Sequence, residues 1–213
     1  MDTGIRIMTT VMSVCIVMAW LGREVAAEDS EIDRICSEIT RQAHAINTIA
    51  SDFEQERRVG LLDSVVSSRG RFFFKKNDRM RWEFTEPNAS GFSVNGDRGR
   101  RWETALSREE RFSLRQMPFI KVFTDQVFAW AGGDFERLQR AYRVEVAGER
   151  PADLKLVPLL PQMKEHVDYV RVLFAVDARH VVLIEVMESD GDFTRIRFFN
   201  THINLPLPDD LFD

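Results

Sequence analysis

The sequence predicts a mainly β (α+β) domain, in which a curved antiparallel sheet forms an incomplete β-barrel, is covered by helices and holds a hydrophobic cavity. Short segments with two-residue hydrophobic periodicity recur along the chain and are separated by turn residues. One apolar helical segment interrupts these strands. The chain has 16 Phe against 2 Tyr, so its aromatic surface is almost entirely apolar.

The N-terminal segment differs in composition from the remainder. Arg6 precedes an apolar stretch over residues 7–21, and Val25, Ala26 and Ala27 are the small residues that signal peptidase accepts. The stretch is shorter than the roughly 20 residues of a membrane-spanning helix. We therefore expect residues 1–27 to be a cleaved signal peptide and 28–213 a single exported domain; an uncleaved anchor is the alternative. Cys36 is then the one cysteine left, which we expect to be a buried, inert thiol.

The predicted elements follow in chain order. Apolar residues spaced by three and four predict a helix over residues 31–46. The period then changes to two, and Asn77-Asp78 and Asn95-Gly96-Asp97 mark hairpin turns. Gly70 indicates a bulge or a close backbone approach inside its strand. The first five strands are expected at residues 48–59, 65–76, 80–84, 92–94 and 100–105.

A second helix, rich in Phe and Trp, is predicted over residues 116–131. Pro118 fits its first turn and Gly132-Gly133 its end. Beyond it, a single helical turn fits between Pro158 and Pro161, and the proline-containing tail 205–208 cannot join a central strand. Five more strands are expected at residues 142–147, 153–157, 167–176, 181–188 and 193–200.

Catalytic and nucleic-acid-binding patterns are missing from the sequence. The four His are scattered, and neither a glycine-rich phosphate loop nor a nucleophile elbow is present. A net charge of −5 argues against binding nucleic acid. We therefore expect no enzyme activity, no metal and no cofactor.

An exported, Phe-rich protein without catalytic groups is better explained by the binding of an apolar ligand. One acyl chain of about 14 carbons would contribute on the order of 10 kcal/mol when buried. The alternative is that the same residues form a fully packed core. We expect the concave face of the sheet to form the cavity and the 116–131 helix to form its lid. The cavity residues are Phe72, Phe74, Met80, Trp82, Phe84, Phe92 and Trp102, and the lid residues are Phe119, Ile120, Phe123, Val127, Phe128 and Trp130.

Several motifs, in order along the whole mature chain, resemble the LolA-like outer-membrane lipoprotein carrier family. They begin with Phe53-x-Gln55 and end with a Leu-Phe pair after a Pro-Leu-Pro segment. The motifs that follow the first are Ser68-x-Gly70-x-Phe72-x-Phe74-Lys75-Lys76, Met80-Arg81-Trp82-Glu83 with Pro87, Asn95-Gly96-Asp97 with Trp102, Asp190-Gly191-Asp192-x-Thr194-x-Ile196-x-Phe198, and Asn200-x-x-x-Asn204-x-Pro206-Leu207-Pro208-x-x-Leu211-Phe212.

The resemblance implies a monomeric periplasmic carrier that takes a lipid-bearing cargo from an inner-membrane transporter to an outer-membrane acceptor. It implies a latch and release role for Lys76, where the family often has Arg. Asn77 replaces a proline of the family pattern, and the chain stops at Asp213 without the family's C-terminal extension. The cargo stays open between a lipoprotein and another lipid, such as a polyene or a glycolipid. A lipid-sensing regulator is a further alternative.

Overall fold

The computed structural model describes residues 31–60 and 64–213, with only the backbone described at residues 118–119. The predicted signal peptide therefore lies outside the described residues. Helix α1 covers residues 31–44 and α2 covers Pro118–Gly132, followed by α3 (Phe135–Ala141) and α4 (Pro161–Lys164). The strands are β1 (Thr48–Val59), β2 (Ser64–Lys75), β3 (Arg79–Glu86), β4 (Ser90–Asn95), β5 (Arg98–Glu103), β6 (Arg108–Ser113), β7 (Tyr142–Glu149), β8 (Ala152–Pro158), β9 (Val167–Phe174), β10 (Val181–Glu188) and β11 (Phe193–Ile203).

All of these strands belong to one open antiparallel sheet with the order β6-β5-β4-β3-β2-β1-β11-β10-β9-β8-β7. Among the described residues, the first and last strands, β1 and β11, pair at its centre, where Phe53 lies opposite Phe198. The β2–β3 hairpin turns through Asn77 and Asp78, whose φ angles of 69° and 63° are left-handed. Asn and Asp are residue types that tolerate a left-handed backbone, so the local sequence specifies this turn.

One face of this sheet, the inner face, carries the apolar side chains. Alternation along β3 turns Met80 and Trp82 inward and Arg79 and Arg81 outward. The inner-face residues of neighbouring strands form one continuous core that runs from β3 through the centre to β7. This continuity makes one large apolar surface that the helices must cover.

The opposite, outer face carries cross-strand ion pairs. Glu83 accepts hydrogen bonds from Arg71 and from Arg81, the second at 2.6 Å. Burial opposes ionisation of Glu83, but these two guanidinium groups outweigh it and lower its pKa. The C-terminal segment crosses this face, where the main-chain oxygen of Leu211 accepts a hydrogen bond from Arg81 at 3.2 Å and Phe212 is buried.

The helices pack on one another at the end of α2. Gly133 ends α2 with a left-handed φ of 68°, and a Cβ there would lie 2.7 Å from Cα of Thr40 on α1. The Thr40 hydroxyl donates a 2.7 Å hydrogen bond to the carbonyl oxygen of Gly133. Glycine is therefore needed both for the turn and for the close approach of the two helices.

Most predicted elements are confirmed, including the first helix, α2 and ten of the strands. Strand β6 and helix α3 were not predicted. β6 is an edge strand with four charged residues, and α3 has fewer than two turns, so neither has a strong hydrophobic period. Gly70 shows both expected features, since a register shift follows Arg69 and a Cβ would lie 2.1 Å from the oxygen of Glu83.

Candidate functional site

Helix α2 lies over the aromatic part of the inner face. Phe123 packs edge-on against Trp82, with 5.3 Å between ring centroids, and against Phe92 at 6.0 Å. Five residues further along the helix, Phe128 packs against Phe74 at 6.0 Å. The aromatic residues of the helix and the sheet are thus brought together.

Trp82 is the centre of the aromatic cluster on the sheet. Its ring centroid lies 4.6 Å from that of Phe53, 5.6 Å from that of Phe72 and 6.0 Å from that of Phe198. These rings come from β3, β1, β2 and β11, so the cluster joins the first half of the sheet to the last strand. The contact with Phe198 is edge-on, a geometry that aromatic pairs prefer.

A narrow apolar cavity separates the C-terminal half of α2 from the centre of the sheet. The volume open to the centre of a water molecule is about 40 Å³, which holds only a few waters. A long acyl chain does not fit into that space, so this is a closed arrangement. The cavity is lined by Ile49, Ser51, Phe72, Trp82, Val127, Trp130, Ala131, Arg179, His180, Val181, Ile184, Phe198 and Thr201.

The structure brings most of the predicted site residues to this region. Phe72, Trp82, Val127 and Trp130 line the cavity itself. The others lie beside it on the inner face or on α2, where Phe74 and Met80 are buried, and Phe84, Phe92, Ile120, Phe123 and Phe128 are partly buried. The side chain of Phe119 lies outside the described part of the structure.

Trp102 does not lie near the cavity with the other predicted site residues. It pairs with Gly91 across the β4–β5 ladder, whereas the inward-facing Phe92 pairs with Arg101. The Trp102 ring lies instead on the outer face, with the guanidinium carbon of Arg81 4.4 Å from its centroid. The expectation that Trp102 lines the cavity was therefore wrong.

Lys76 contacts helix α1 rather than α2. Its ammonium donates a 2.6 Å hydrogen bond to the carbonyl oxygen of His44, the last residue of α1. A cation at this position satisfies a free carbonyl and complements the negative end of the helix dipole. Its latch and release role remains a prediction.

Sequence reasoning missed the cavity residues contributed by the C-terminal strands. Ile184 and Phe198 face inward because they belong to the same alternating set as Phe53. Their hydrophobic alternation was visible in the sequence, but their register against β1 was not. Arg179 and His180 lie in the turn between β9 and β10, and no sequence signal placed them in the cavity wall.

The polar atoms of the cavity fall into two groups. The hydroxyls of Ser51 and Thr201 hydrogen-bond to each other at 2.8 Å. By contrast, the indole Nε1 of Trp130 and the Nδ1 of His180 are buried without a hydrogen-bond partner in the described structure. Burial lowers the pKa of His180, and the opposing effect of Asp177 is smaller.

Neither metal-binding clusters nor membrane helices are found among the described residues. No group of three or more His, Cys, Asp or Glu in residues 31–60 and 64–213 could hold a metal ion. In the same part of the chain, no helix is both long and apolar enough to cross a membrane. The buried Cys36 is a poor ligand and nucleophile, because burial, aided by Asp33, raises its pKa to about 11.

Comparison with known families agrees with this architecture. The family model described as outer membrane lipoprotein carrier protein LolA matches residues 44–213. The chain belongs to the LolA family. The match includes the whole sheet, α2 and the cavity-lining residues, and it leaves out most of α1. No curated protein matches the sequence.

Solved structures show the same fold at low sequence identity. An uncharacterized conserved protein from Thermus thermophilus has a TM-score of 0.54 at 7% identity, with 85% of this chain and 91% of that chain covered. MucB has a TM-score of 0.52 at 13% identity, with 88% of this chain and 62% of MucB covered. A DUF1329 family protein from Desulfovibrio piger has a TM-score of 0.50 at 12% identity, with 87% and 97% covered. These likenesses show the fold alone.

Proposed function

We propose that this protein is a periplasmic carrier that shields the acyl chains of a lipid-bearing cargo, such as a lipoprotein, between its sheet and helix α2. It would take this cargo from an inner-membrane transporter to an outer-membrane acceptor. The observation that carries the proposal is the apolar cavity under α2, whose walls include Phe72, Trp82, Val127 and Phe198. Membership in the LolA family supports the same role.

The closed cavity requires α2 to move when cargo enters. Phe123 and Phe128 would leave Trp82 and Phe74, and acyl methylenes would replace those contacts. Each methylene buried contributes about 0.8 kcal/mol. Because the closed state competes with cargo, its contacts lower the apparent affinity and help release.

Purification of the mature protein under mild conditions, followed by native mass spectrometry and lipid extraction, identifies the cargo. A co-purified triacylated peptide would support a lipoprotein carrier, and a polyene or glycolipid would support the specialised alternative. A lipid that binds but is never transferred to acceptor membranes would favour a lipid-sensing regulator. If no apolar molecule binds, and no lipid displaces an apolar dye, the carrier proposal fails.

A matched pair of substitutions on α2 tests the position of the site. Val127 lines the cavity at 5% exposure, whereas Val122 on the same helix is 53% exposed. We expect Val127→Trp to fill the cavity and reduce dye and lipid binding, and Val122→Trp to bind as the wild type does. Equal binding by both folded variants would place the site elsewhere.

A further inference from the structure

One turn in the cavity lining differs from the apolar walls. The turn between β9 and β10 places Arg179 and His180 in the cavity lining, to which Trp130, Val181 and Ile184 also belong. This turn is held in place by its main chain, since the N–H of Ala175 donates to the oxygen of His180 at 2.8 Å. The lining therefore includes a fixed polar turn among mostly apolar side chains.

Two buried polar groups of the lining residues lack internal partners. Trp130 is 6% exposed, and its buried Nε1–H has no acceptor among the described residues. An indole N–H can only donate, so this donor is left unsatisfied in the cavity wall. Nδ1 of His180 is likewise buried without a partner.

Arg179 brings a guanidinium to the cavity lining. Within the described part of the chain, no carboxylate lies within 4.0 Å of the Arg179 guanidinium. The nearby Asp177 uses its carboxylate to accept the main-chain N–H of Arg179 at 3.1 Å, which shapes the turn. A guanidinium offers five donors and no acceptor. Arg179 and Trp130 together therefore favour a ligand that supplies oxygen acceptors and negative charge.

We infer that Arg179, His180 and Trp130 bind the anionic head of an acyl lipid, a carboxylate or a phosphate, whose chain enters the cavity under α2. This rests on the proposed function, because it requires the cavity to accept an acyl chain. A neutral ester of the same fatty acid would then bind through its alkyl chain alone. Anionic lipids gain the additional hydrogen bonds to these polar groups.

Four dodecyl ligands that differ mainly in their head groups separate the contribution of the head group to binding from that of the alkyl chain. Displacement of a neutral apolar dye is measured with dodecanoate, dodecyl phosphate, methyl dodecanoate and dodecyltrimethylammonium. We expect at least one anion to bind about tenfold more tightly than the methyl ester, the effect of one charged hydrogen bond. The preferred anion distinguishes a fatty acid from a phospholipid as the source. Equal binding of all four would overturn the inference but leave the carrier proposal standing.

Conservative variants locate the head group. Arg179→Gln and Trp130→Phe should each reduce the ratio of ester to anion dissociation constants by about fivefold to tenfold while the ester still binds. The controls are Arg98→Gln, at an exposed position in the β4–β5 hairpin, and Trp102→Phe, on the outer face. An unchanged ratio in both test variants would overturn the assignment. Failure of every ligand, including the ester, to bind wild-type protein would instead refute the proposed function, and the inference with it.

Discussion

Replacement of Gly70 by alanine would test the close approach between strands beside the aromatic cluster. Gly70 lies opposite Phe53 of β1, at the register shift between β2 and β3. An alanine Cβ there would lie 2.1 Å from the carbonyl oxygen of Glu83 and 2.4 Å from Cζ of Phe53. Both neighbours are fixed, since one is backbone and the other is a fully buried ring.

The expected cost follows from this overlap. Overpacking a core typically costs 1–3 kcal/mol, and because neither neighbour can rotate away we expect about 3 kcal/mol for Gly70→Ala. At roughly 2–4 °C per kcal/mol for a domain of this size, Tm should fall by about 6–12 °C. Displacement of Phe53 would also move Trp82, which it contacts at 4.6 Å, so dye binding should weaken too.

Thermal and urea unfolding followed by circular dichroism measure this change. The control is Gly148→Ala in β7, where a new Cβ would lie 3.5 Å from Cβ of Asp153, an ordinary contact. We expect that control to stay within about 1 kcal/mol of the wild type. If Gly70→Ala is as stable as Gly148→Ala, the close approach at Gly70 does not limit the packing of the sheet and the reasoning is wrong.

Three further predictions concern single side chains. Cys36, with its pKa raised to about 11 by burial and by Asp33, should react with a thiol reagent much more slowly in the native than in the urea-unfolded protein; equal rates would contradict this. Phe212→Ala should lower the free energy of unfolding by about 3–5 kcal/mol in urea titrations, since Phe212 is buried under the C-terminal turn. Lys76→Met should lower it by about 0.3–1 kcal/mol through lost bonding to the end of α1, and no change would exclude that contribution.

The half of the sheet around β3 could be predicted from sequence because its periodicity is strong. Met80 and Trp82 alternate with Arg79 and Arg81, and that pattern alone fixes which side chains face the core. The apolar α2 segment, bounded by Pro118 and Gly133, was equally clear. What this periodicity could not specify was how strands distant in sequence align, so Phe198 and Ile184 were missed as cavity residues.

Trp102 illustrates a second limit. Its face depends on the parity of the β4–β5 register, and a one-residue change in the register of a hairpin moves every side chain to the other face. The turn at Gly96 and Asp97 pairs Asn95 with Arg98, which places Arg101 inward and Trp102 outward. The composition of the strand gave no clue to that parity, because Arg101 is an unusual residue for an inner face.

His180 gives the polar turn of the cavity lining a measurable pH signature. Burial lowers the pKa of His180 in the folded protein below its ordinary value of 6.5; Asp177 opposes the shift and Arg179 adds to it. The unfolded chain therefore binds more protons than the folded chain as the pH falls through about 6.5 towards the folded-state pKa. The contribution of His180 to stability is fully present above pH 6.5 and is lost below it.

Replacement of His180 by glutamine should remove that part of the pH dependence. Urea unfolding at about pH 7.5 and pH 5.5 should show a smaller loss of stability for His180→Gln than for the wild type, whereas His166→Gln, at an exposed position, should follow the wild type. Identical pH dependence in the wild type and His180→Gln would mean that the imidazole is solvated in the native state. That result would also remove the buried, unpartnered Nδ1 from the argument for an anionic head group, which would then depend on Arg179 and Trp130 alone.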